Sequence, residues 1–306
     1  MSKLSIIMPC YNNEGNIPIT RSELELNETK FDIDIEYILV NDGSKDKTLN
    51  QLLLWKENDP LKIKVVNLSG NFGSLNAILA GIHYASGDCL AILAADLQDP
   101  PELLTEMVKH WKNGIKLVLA NRTDRDDPFG QKIFSKIYHY CVQKFALKDI
   151  PEGGFNLVLF DKQLKDELLK MNEKNTNIFY LLSWMQFPYV SIPYTRKRRE
   201  IGKSQWTTSK KIKLFVDSFV AFSFFPIRLI SITGVSLGLI SLVYGLFIIF
   251  AKLFGIITIQ GWSTLMVVIL FVSSFQMLAL GIIGEYIWRN LDETRKRPNF
   301  IIDKVY

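Results

Sequence analysis

Cysteine and histidine are scarce in this chain, three of each in 306 residues. The cysteines, Cys10, Cys89 and Cys141, are odd in number and scattered, and two of them fall in apparent buried strands. That argues against a disulfide framework and fits a reducing compartment. His83, His110 and His139 lie on separate predicted helices, which argues against a histidine metal cluster. A strong charge imbalance is missing too: the net charge of +5 is modest and does not point to nucleic acid. No Gly-x-Gly-x-x-Gly follows the first apolar run, so the glycine-rich helix terminus of a dinucleotide site is lacking. No secretory signal precedes that run, because Leu4 to Met8 is too short and runs straight into Pro9.

Charge disappears altogether from Leu229 to Ala251, about 23 residues bracketed by Arg228 and Lys252 and long enough to span a bilayer. A second uncharged run extends from Leu253 to Gly284, with Trp262 near its start and Tyr286 and Trp288 near its end, where interfacial aromatics belong. Basic clusters lie before the first run, near 196–213, and after the second, at 295–297, while the loop Lys252 to Gly261 carries one Lys. The positive-inside rule then puts the N-terminal domain and the C-terminal tail in the cytoplasm, with the chain crossing the inner membrane more than once. The expected division is a domain over 1–206, interfacial helices over 207–227, two transmembrane helices over 228–289 and a tail over 290–306.

What is present in the first domain is an alternation of apolar runs and helical patterns. Strands are expected at Leu4–Met8, Ile35–Val40, Ile63–Leu68, Cys89–Ala95 and Lys116–Ala120. Helices are expected from about Asn16, over Asp46–Asn58, over Ser74–Ala85 and from Pro101 to about Trp111. This is an α/β pattern with a mostly parallel sheet, and right-handed crossovers bring the strand C-termini to one edge. Pro9 to Glu14, Asn41-Asp42, Ser69 to Gly73 and Asp96 to Asp99 therefore converge. Their polar character suits a sugar nucleotide: Tyr11 can stack on a base and Asp42 can bind base or ribose. Asp96 and Gln98, oxygen ligands spaced by two at a strand end, suit a hard cation such as Mg²⁺ or Mn²⁺ that would hold the diphosphate.

The motifs Pro9-x-Tyr11-Asn12, Val40-Asn41-Asp42-Gly43-Ser44 with Asp46 and Thr48, Asn71-Phe72-Gly73 and Ala95-Asp96-Leu97-Gln98-Asp99-Pro100-Pro101-Glu102 resemble inverting family 2 glycosyltransferases of GT-A fold, a Rossmann-like arrangement. Phe155 to Asp161, Arg199 to Ser204, Gly284-Glu285-Tyr286 and Arg297-Pro298 resemble the polyprenyl-phosphate branch of that family, dolichol-phosphate mannose synthase-like and bactoprenol glucosyltransferase-like. The resemblance implies metal-dependent, inverting transfer of a sugar from a nucleotide diphosphate, UDP-linked by similarity to the bactoprenol-type members, to a lipid phosphate such as undecaprenyl phosphate. The product would serve modification of cell-envelope glycans. It also implies a homo-oligomer, up to a tetramer. It assigns Pro9, Tyr11, Asn12, Glu14, Asp42, Asn71, Gly73 and Asp96 to the nucleotide sugar, and Asp96 with Gln98 to the metal. Arg196, Arg199, Lys203 and Ser204 fall to the lipid phosphate, and Asp96, Arg199 and Lys203 to catalysis.

Three positions depart from the family pattern. Ala94 replaces the first acid of the metal motif, Gly154 replaces an acid often given a catalytic role, and Gln205 replaces a lysine. A phosphate acceptor tolerates the loss of a base, being ionised near neutral pH with a second pKa of about 6. From Thr208, Ile212, Phe215, Val216, Phe219 and Phe222 recur at helical spacing, as in an interfacial amphipathic helix. Two alternatives stand beside this reading. A processive polysaccharide synthase would carry Gln-x-x-Arg-Trp and more spans, and neither is found. A catalytically inactive membrane scaffold would explain Ala94 and Gly154.

Overall fold

The structure is a computed structural model describing residues 2–124, 143–144, 155–171, 173–174, 177–196, 217, 220–223, 225–254 and 261–306. Arg199, Lys203, Ser204, Gly154 and most of the expected interfacial helix lie outside the described residues. The chain divides into two units, Met1–Ser218 with Arg297–Tyr306, and Phe219–Lys296.

The first unit is built on a sheet of β1 (Lys3–Cys10), β2 (Asp34–Asn41), β3 (Ile63–Leu68), β4 (Cys89–Ile92), β5 (Leu117–Asp124), β6 (Phe155–Asp161), β7 (Tyr189–Thr195) and β8 (Ile302–Val305). Among the described residues the order is β7-β5-β6-β4-β1-β2-β3-β8. β4, β1, β2 and β3 pair in parallel, as do β5 and β7, whereas β6 runs antiparallel between β4 and β5 and β8 runs antiparallel on β3. The helices are α1 (Ile17–Glu28), α2 (Thr48–Asn58), α3 (Ser74–Tyr84), α4 (Leu103–Lys112), α5 (Lys162–Lys170) and α6 (Ile178–Trp184). The central strands read as continuous apolar runs because both faces are buried: Leu4, Ile6, Ile7, Met8, Ile38, Leu39 and Val40 are each 0% exposed.

Several strand boundaries differ from the sequence expectation: β2 is one residue longer at each end, β5 runs on to Asp124, and the ends of β1 and β4 shift. β1 runs through Pro9, which pairs with Val40, instead of stopping there. On its other side the ladder with β4 ends at Ile7↔Ile92, followed by a Leu93 amide to Ile7 carbonyl bond of 3.0 Å, so the missing N–H of Pro9 costs no bond to β4. β4 ends at Ile92 rather than Ala95, because the chain turns at Ala95 to reach the prolines.

At the opposite end of the strands Glu36 is buried and carries a dense set of donors. Ser5 Oγ donates at 2.5 Å, Ser86 N at 2.5 Å and Ser86 Oγ at 2.7 Å, and Lys3 Nζ lies at 2.9 Å. Burial opposes ionisation, but these bonds outweigh it and hold the Glu36 carboxyl at about 2, below its ordinary 4.5. The ionised form therefore stabilises the fold in full above pH 4.5, and that contribution is lost as the pH falls toward 2. Glu36→Gln is expected to cost roughly 3 kcal/mol at neutral pH. In thermal unfolding followed by circular dichroism, the gap between wild type and variant should be flat above pH 5 and close progressively below about pH 4.5. A gap that persists undiminished near pH 2.5 would refute the ionic origin.

The second unit comprises α7 (Phe225–Leu253) and α8 (Trp262–Thr294). Pro226 sits in the first turn of α7, where its missing N–H has no intrahelical partner to lose. Phe225–Ile248 and Thr264–Thr294 have mean hydropathies of 2.0 and 2.4, and each is long and apolar enough to cross a bilayer. Their apolar side chains, among them Leu239, Phe247, Leu270 and Phe271, are exposed, the pattern expected of helices whose solvent is lipid. Glu285, the acid near the end of the second span, is paired with Arg289 at 2.9 Å.

Candidate functional site

The C-terminal ends of β1, β2, β3 and β4 emerge on one edge of the sheet, and the loops after them are fastened to one another. Asn12, in the left-handed region at φ 51°, donates its amide to Ser44 Oγ at 3.1 Å and accepts the Lys45 amide on Oδ1 at 3.0 Å. The Asn13 amide donates to Thr48 Oγ1 at 2.7 Å. Glu14 donates its amide to Asp46 at 3.2 Å and accepts the Lys47 amide at 2.9 Å. The side chains of Asn12, Glu14, Asp46 and Thr48 thus tie the loop after β1 to the loop after β2.

Asp42 performs the next link. It is 2% exposed, and its two carboxylate oxygens accept the Phe72 amide at 2.7 Å and the Gly73 amide at 3.0 Å. Burial pushes its carboxyl above the ordinary value, against the pull of those two amides. Gly43, at φ 64°, lets the same two loops touch: a Cβ there would lie 2.3 Å from the Gly70 carbonyl carbon. Between these loops is a cavity of about 550 Å³ lined by Tyr11, Gly43, Ser44, Asn67, Asn71 and Asp303, among others. A larger cavity of about 720 Å³ lies at the other end of the strands. There Lys62 and Glu28 pair at 2.5 Å and Lys112 and Asp32 at 2.7 Å, so its two lysines are already engaged by carboxylates.

The Asp96 stretch lies across β1 from the 550 Å³ cavity. Leu97 is left-handed at φ 51°, and the turn is held by the Gln98 amide donating to Asp96 Oδ1 at 3.3 Å. Thr20 Oγ1 of α1 donates to the Ala95 carbonyl at 3.0 Å and pins the turn from below. Asp96 and Gln98 are half-buried, and Asp99 is 1% exposed. Tyr194 of β7 donates its hydroxyl to Asp99, Arg122 of β5 donates to the Tyr194 oxygen at 3.3 Å, and Arg196 lies 3.4 Å from Asp99. Burial, and then the charge of Asp99, push the Tyr194 hydroxyl up to about 12. Among the described residues Arg122 Nη2, Arg196 Nε and Asp99 Oδ2 have no hydrogen-bond partner. Two guanidinium groups face the Asp99 carboxylate beside the Asp96 turn, and Arg122 Nη2 and Arg196 Nε keep donor capacity suited to an anion.

The residue chemistry fits a divalent cation on limited terms. No group of three His, Cys, Asp or Glu side chains that could hold a metal occurs among the described residues. Asp96 and Gln98 offer one carboxylate and one amide oxygen. That set fits Mg²⁺ or Mn²⁺ held with water and a ligand's phosphate oxygens, and does not make a closed all-protein cage.

Of the residues singled out from sequence, Tyr11, Asn12, Glu14, Asp42, Asn71 and Gly73 gather around the cavity or hold its walls. Pro9 lies within the last residues of β1, one before its end at Cys10. Asp96 and Gln98 sit at the adjacent strand end together with Arg196, which faces Asp99 and feels the charge of Asp96. Asp161, from the Phe155 to Asp161 motif, caps α5 through the Gln163 amide at 2.9 Å and accepts the Trp111 indole N–H at 2.8 Å, a structural role. Arg122, Tyr194 and Asp303 were not singled out. A cation directly after the apolar run of β5 was the signal available for Arg122; for Tyr194 and Asp303 there was none.

A family model described as glycosyl transferase family 2 matches residues 5–187. An uncharacterized glycosyltransferase of Bacillus subtilis strain 168 is 37% identical over 305 residues, 99% of this chain and 94% of that protein. A prophage-derived bactoprenol glucosyl transferase of Shigella flexneri is 31% identical over 306 residues, 99% of this chain and 98% of that one. Among solved structures, glucosyl-3-phosphoglycerate synthase of Mycobacterium tuberculosis, in complex with Mn²⁺, UDP-glucose and phosphoglyceric acid, superposes with a TM-score of 0.54 at 15% identity, over 72% of this chain and 79% of that one. That likeness concerns the fold, which is of GT-A type.

Proposed function

The chain belongs to glycosyl transferase family 2, and on that premise we propose that it transfers a hexose from a UDP-linked donor to a polyprenyl phosphate such as undecaprenyl phosphate, with inversion. The observation that carries this is the end-to-end match, both apolar helices included, to proteins named bactoprenol glucosyl transferase. An acceptor carried in a membrane explains why a nucleotide-sugar domain is joined to two bilayer-length helices. β8, which closes the first unit after those helices, supports an even number of crossings and a tail on the same side as the sheet.

The geometry supports a division of labour. The loops after β1, β2 and β3 take the nucleoside, with Tyr11 against the base and the wall fixed by Asp42. Adjacent strands lie about 4.8 Å apart, so roughly 14 Å separates β3 from β4, and the diphosphate falls near Asp96. A divalent cation held by Asp96 and Gln98 would offset the charge that builds on the departing diphosphate. Arg122 and Arg196 add positive charge at the same strand ends. An acceptor phosphate oxygen, already ionised, attacks the anomeric carbon from the face opposite the diphosphate, and the sugar–diphosphate bond breaks as the new one forms. Such a nucleophile needs no strong base, consistent with Gly154. Arg199, Lys203 and Ser204 are proposed to hold that phosphate.

The test is direct: purified protein in detergent, Mn²⁺ or Mg²⁺, labelled UDP- and GDP-sugars and undecaprenyl phosphate. Chloroform-extractable label is expected. A water-soluble polymer would favour a polysaccharide synthase, and nucleotide binding with no product would favour an inactive scaffold.

A further inference from the structure

The tail that follows the second apolar helix is not an appendage of the first unit. β8 extends the sheet beyond β3, with Val66↔Val305, Asn67↔Lys304 and Leu68↔Ile302 as partners. Tyr306 and Val65 exchange backbone bonds of 2.9 and 3.3 Å, and the Ser69 amide donates to the Ile301 carbonyl at 2.9 Å. The register shifts between Asn67 and Leu68, so Asp303 is the extra residue of a bulge. A bulge takes one side chain out of the alternation and re-aims it. Here the re-aimed residue lines the 550 Å³ cavity that Tyr11 also lines. Its carboxylate is oriented by a relay of buried amides: Asn41 Nδ2 donates to Asn67 Oδ1 at 2.7 Å, and Asn67 Nδ2 donates to Asp303 Oδ2 at 2.8 Å. Asn41 and Asn67 are 3% and 8% exposed, polar groups placed toward the C-terminal ends of β2 and β3.

We propose that Asp303 is a specificity-determining residue for the nucleobase, its carboxylate accepting the ring N–H that uracil and guanine present between carbonyl and neighbouring nitrogen or carbonyl groups. This rests on the nucleotide-sugar reading above. Asn67 engages one carboxylate oxygen and fixes the plane, which leaves the other to meet the edge of a ring stacked on Tyr11. Cytosine and adenine put an acceptor nitrogen at that position, so two lone pairs would face each other and those bases are rejected. Asp303 itself is exposed, so the discrimination comes from the hydrogen bond lost and the lone pairs opposed in the wrong complex rather than from burial.

Full-length protein in detergent with Mn²⁺ tests this by calorimetric titration with UDP, GDP and CDP. Wild type should bind UDP, or GDP if guanine is the base used, at least about tenfold tighter than CDP. Asp303→Ala should lose about tenfold for the favoured nucleotide and change little for CDP, collapsing the ratio. Asp303→Asn keeps an oxygen for Asn67 and gains an N–H, so it should narrow or reverse the preference toward CDP. Lys304→Ala, on the same strand but outside the cavity lining, should leave the ratio intact. Equal weakening of every nucleotide in Asp303→Ala, or wild-type binding of the favoured one, would overturn the proposal while leaving the donor reading in place. Failure of the wild type to bind any nucleoside diphosphate would overturn the donor reading and the proposal with it.

Discussion

Asp96→Asn is expected to lower glycosyl transfer at least about 100-fold, since even partners one shell beyond a metal ligand are worth 10–100-fold. The reason is local. With Ala94 in the place of a second acid, Asp96 is the single carboxylate on this turn that is not buried, Asp99 being occupied by Tyr194 and Arg196. An asparagine keeps the oxygen and the turn bond to the Gln98 amide but removes the negative charge. The half-buried setting, close to Arg196, makes that charge harder to replace than it would be in water. The variant should therefore fold normally and bind nucleotide weakly in Mn²⁺, with part of the lost rate restored at high Mn²⁺ concentration. Gln98→Ala, which removes a neutral helper, should cost less. The measurement is extractable lipid-linked label against time across a metal titration, and turnover near the wild-type rate in Asp96→Asn would remove this residue from the proposed site.

Gly43→Ala should be the most damaging glycine-to-alanine change among the described residues of the first unit. The added Cβ meets the backbone of Gly70 and Asn71 at 2.3 and 2.6 Å, atoms that have no rotamer to change, at a residue whose φ is already left-handed. Relief requires the loops after β2 and β3 to part, and that breaks the Asp42 bonds to the Phe72 and Gly73 amides that form the wall of the cavity. A cost of about 2 kcal/mol or more in stability is expected, with at least about a tenfold loss of UDP affinity. Gly73→Ala supplies the comparison. Gly73, at φ 91° and ψ 154°, is in an extended positive-φ region that residues other than glycine rarely adopt, but a Cβ there meets nothing within 4 Å, so only the backbone preference is lost, about 1–3 kcal/mol, and no neighbouring loop is displaced. Calorimetric UDP titrations and thermal unfolding of the two variants side by side decide the matter, and equal effects would show that the contact with Gly70 is unimportant.

The amino-acid order determined a good deal by itself, wherever the controlling interaction is local or compositional. β3 occupies Ile63–Leu68, the span its apolar run defines, and the turns at Asn12, Gly43 and Leu97 fall in polar stretches that follow apolar runs. The two bilayer-length helices follow from the absence of charge, since burial of a charge in lipid is costly at any position in the fold. The family was legible for the same reason, its motifs being short and contiguous. Tertiary structure alone decided what depends on segments far apart in sequence. β6 has the same apolar texture as its neighbours, and nothing in that texture says it runs antiparallel between β4 and β5. The cluster of Asp99, Arg122, Tyr194 and Arg196 assembles only when β4, β5 and β7 are brought to one edge, so the sequence showed Arg196 as one more cation in a basic run. The tail is the clearest case. Residues 302–305 carry no period that separates an edge strand from a solvated end, and only the free hydrogen-bonding edge of β3, completed by those four residues, turns Asp303 into a wall of the cavity.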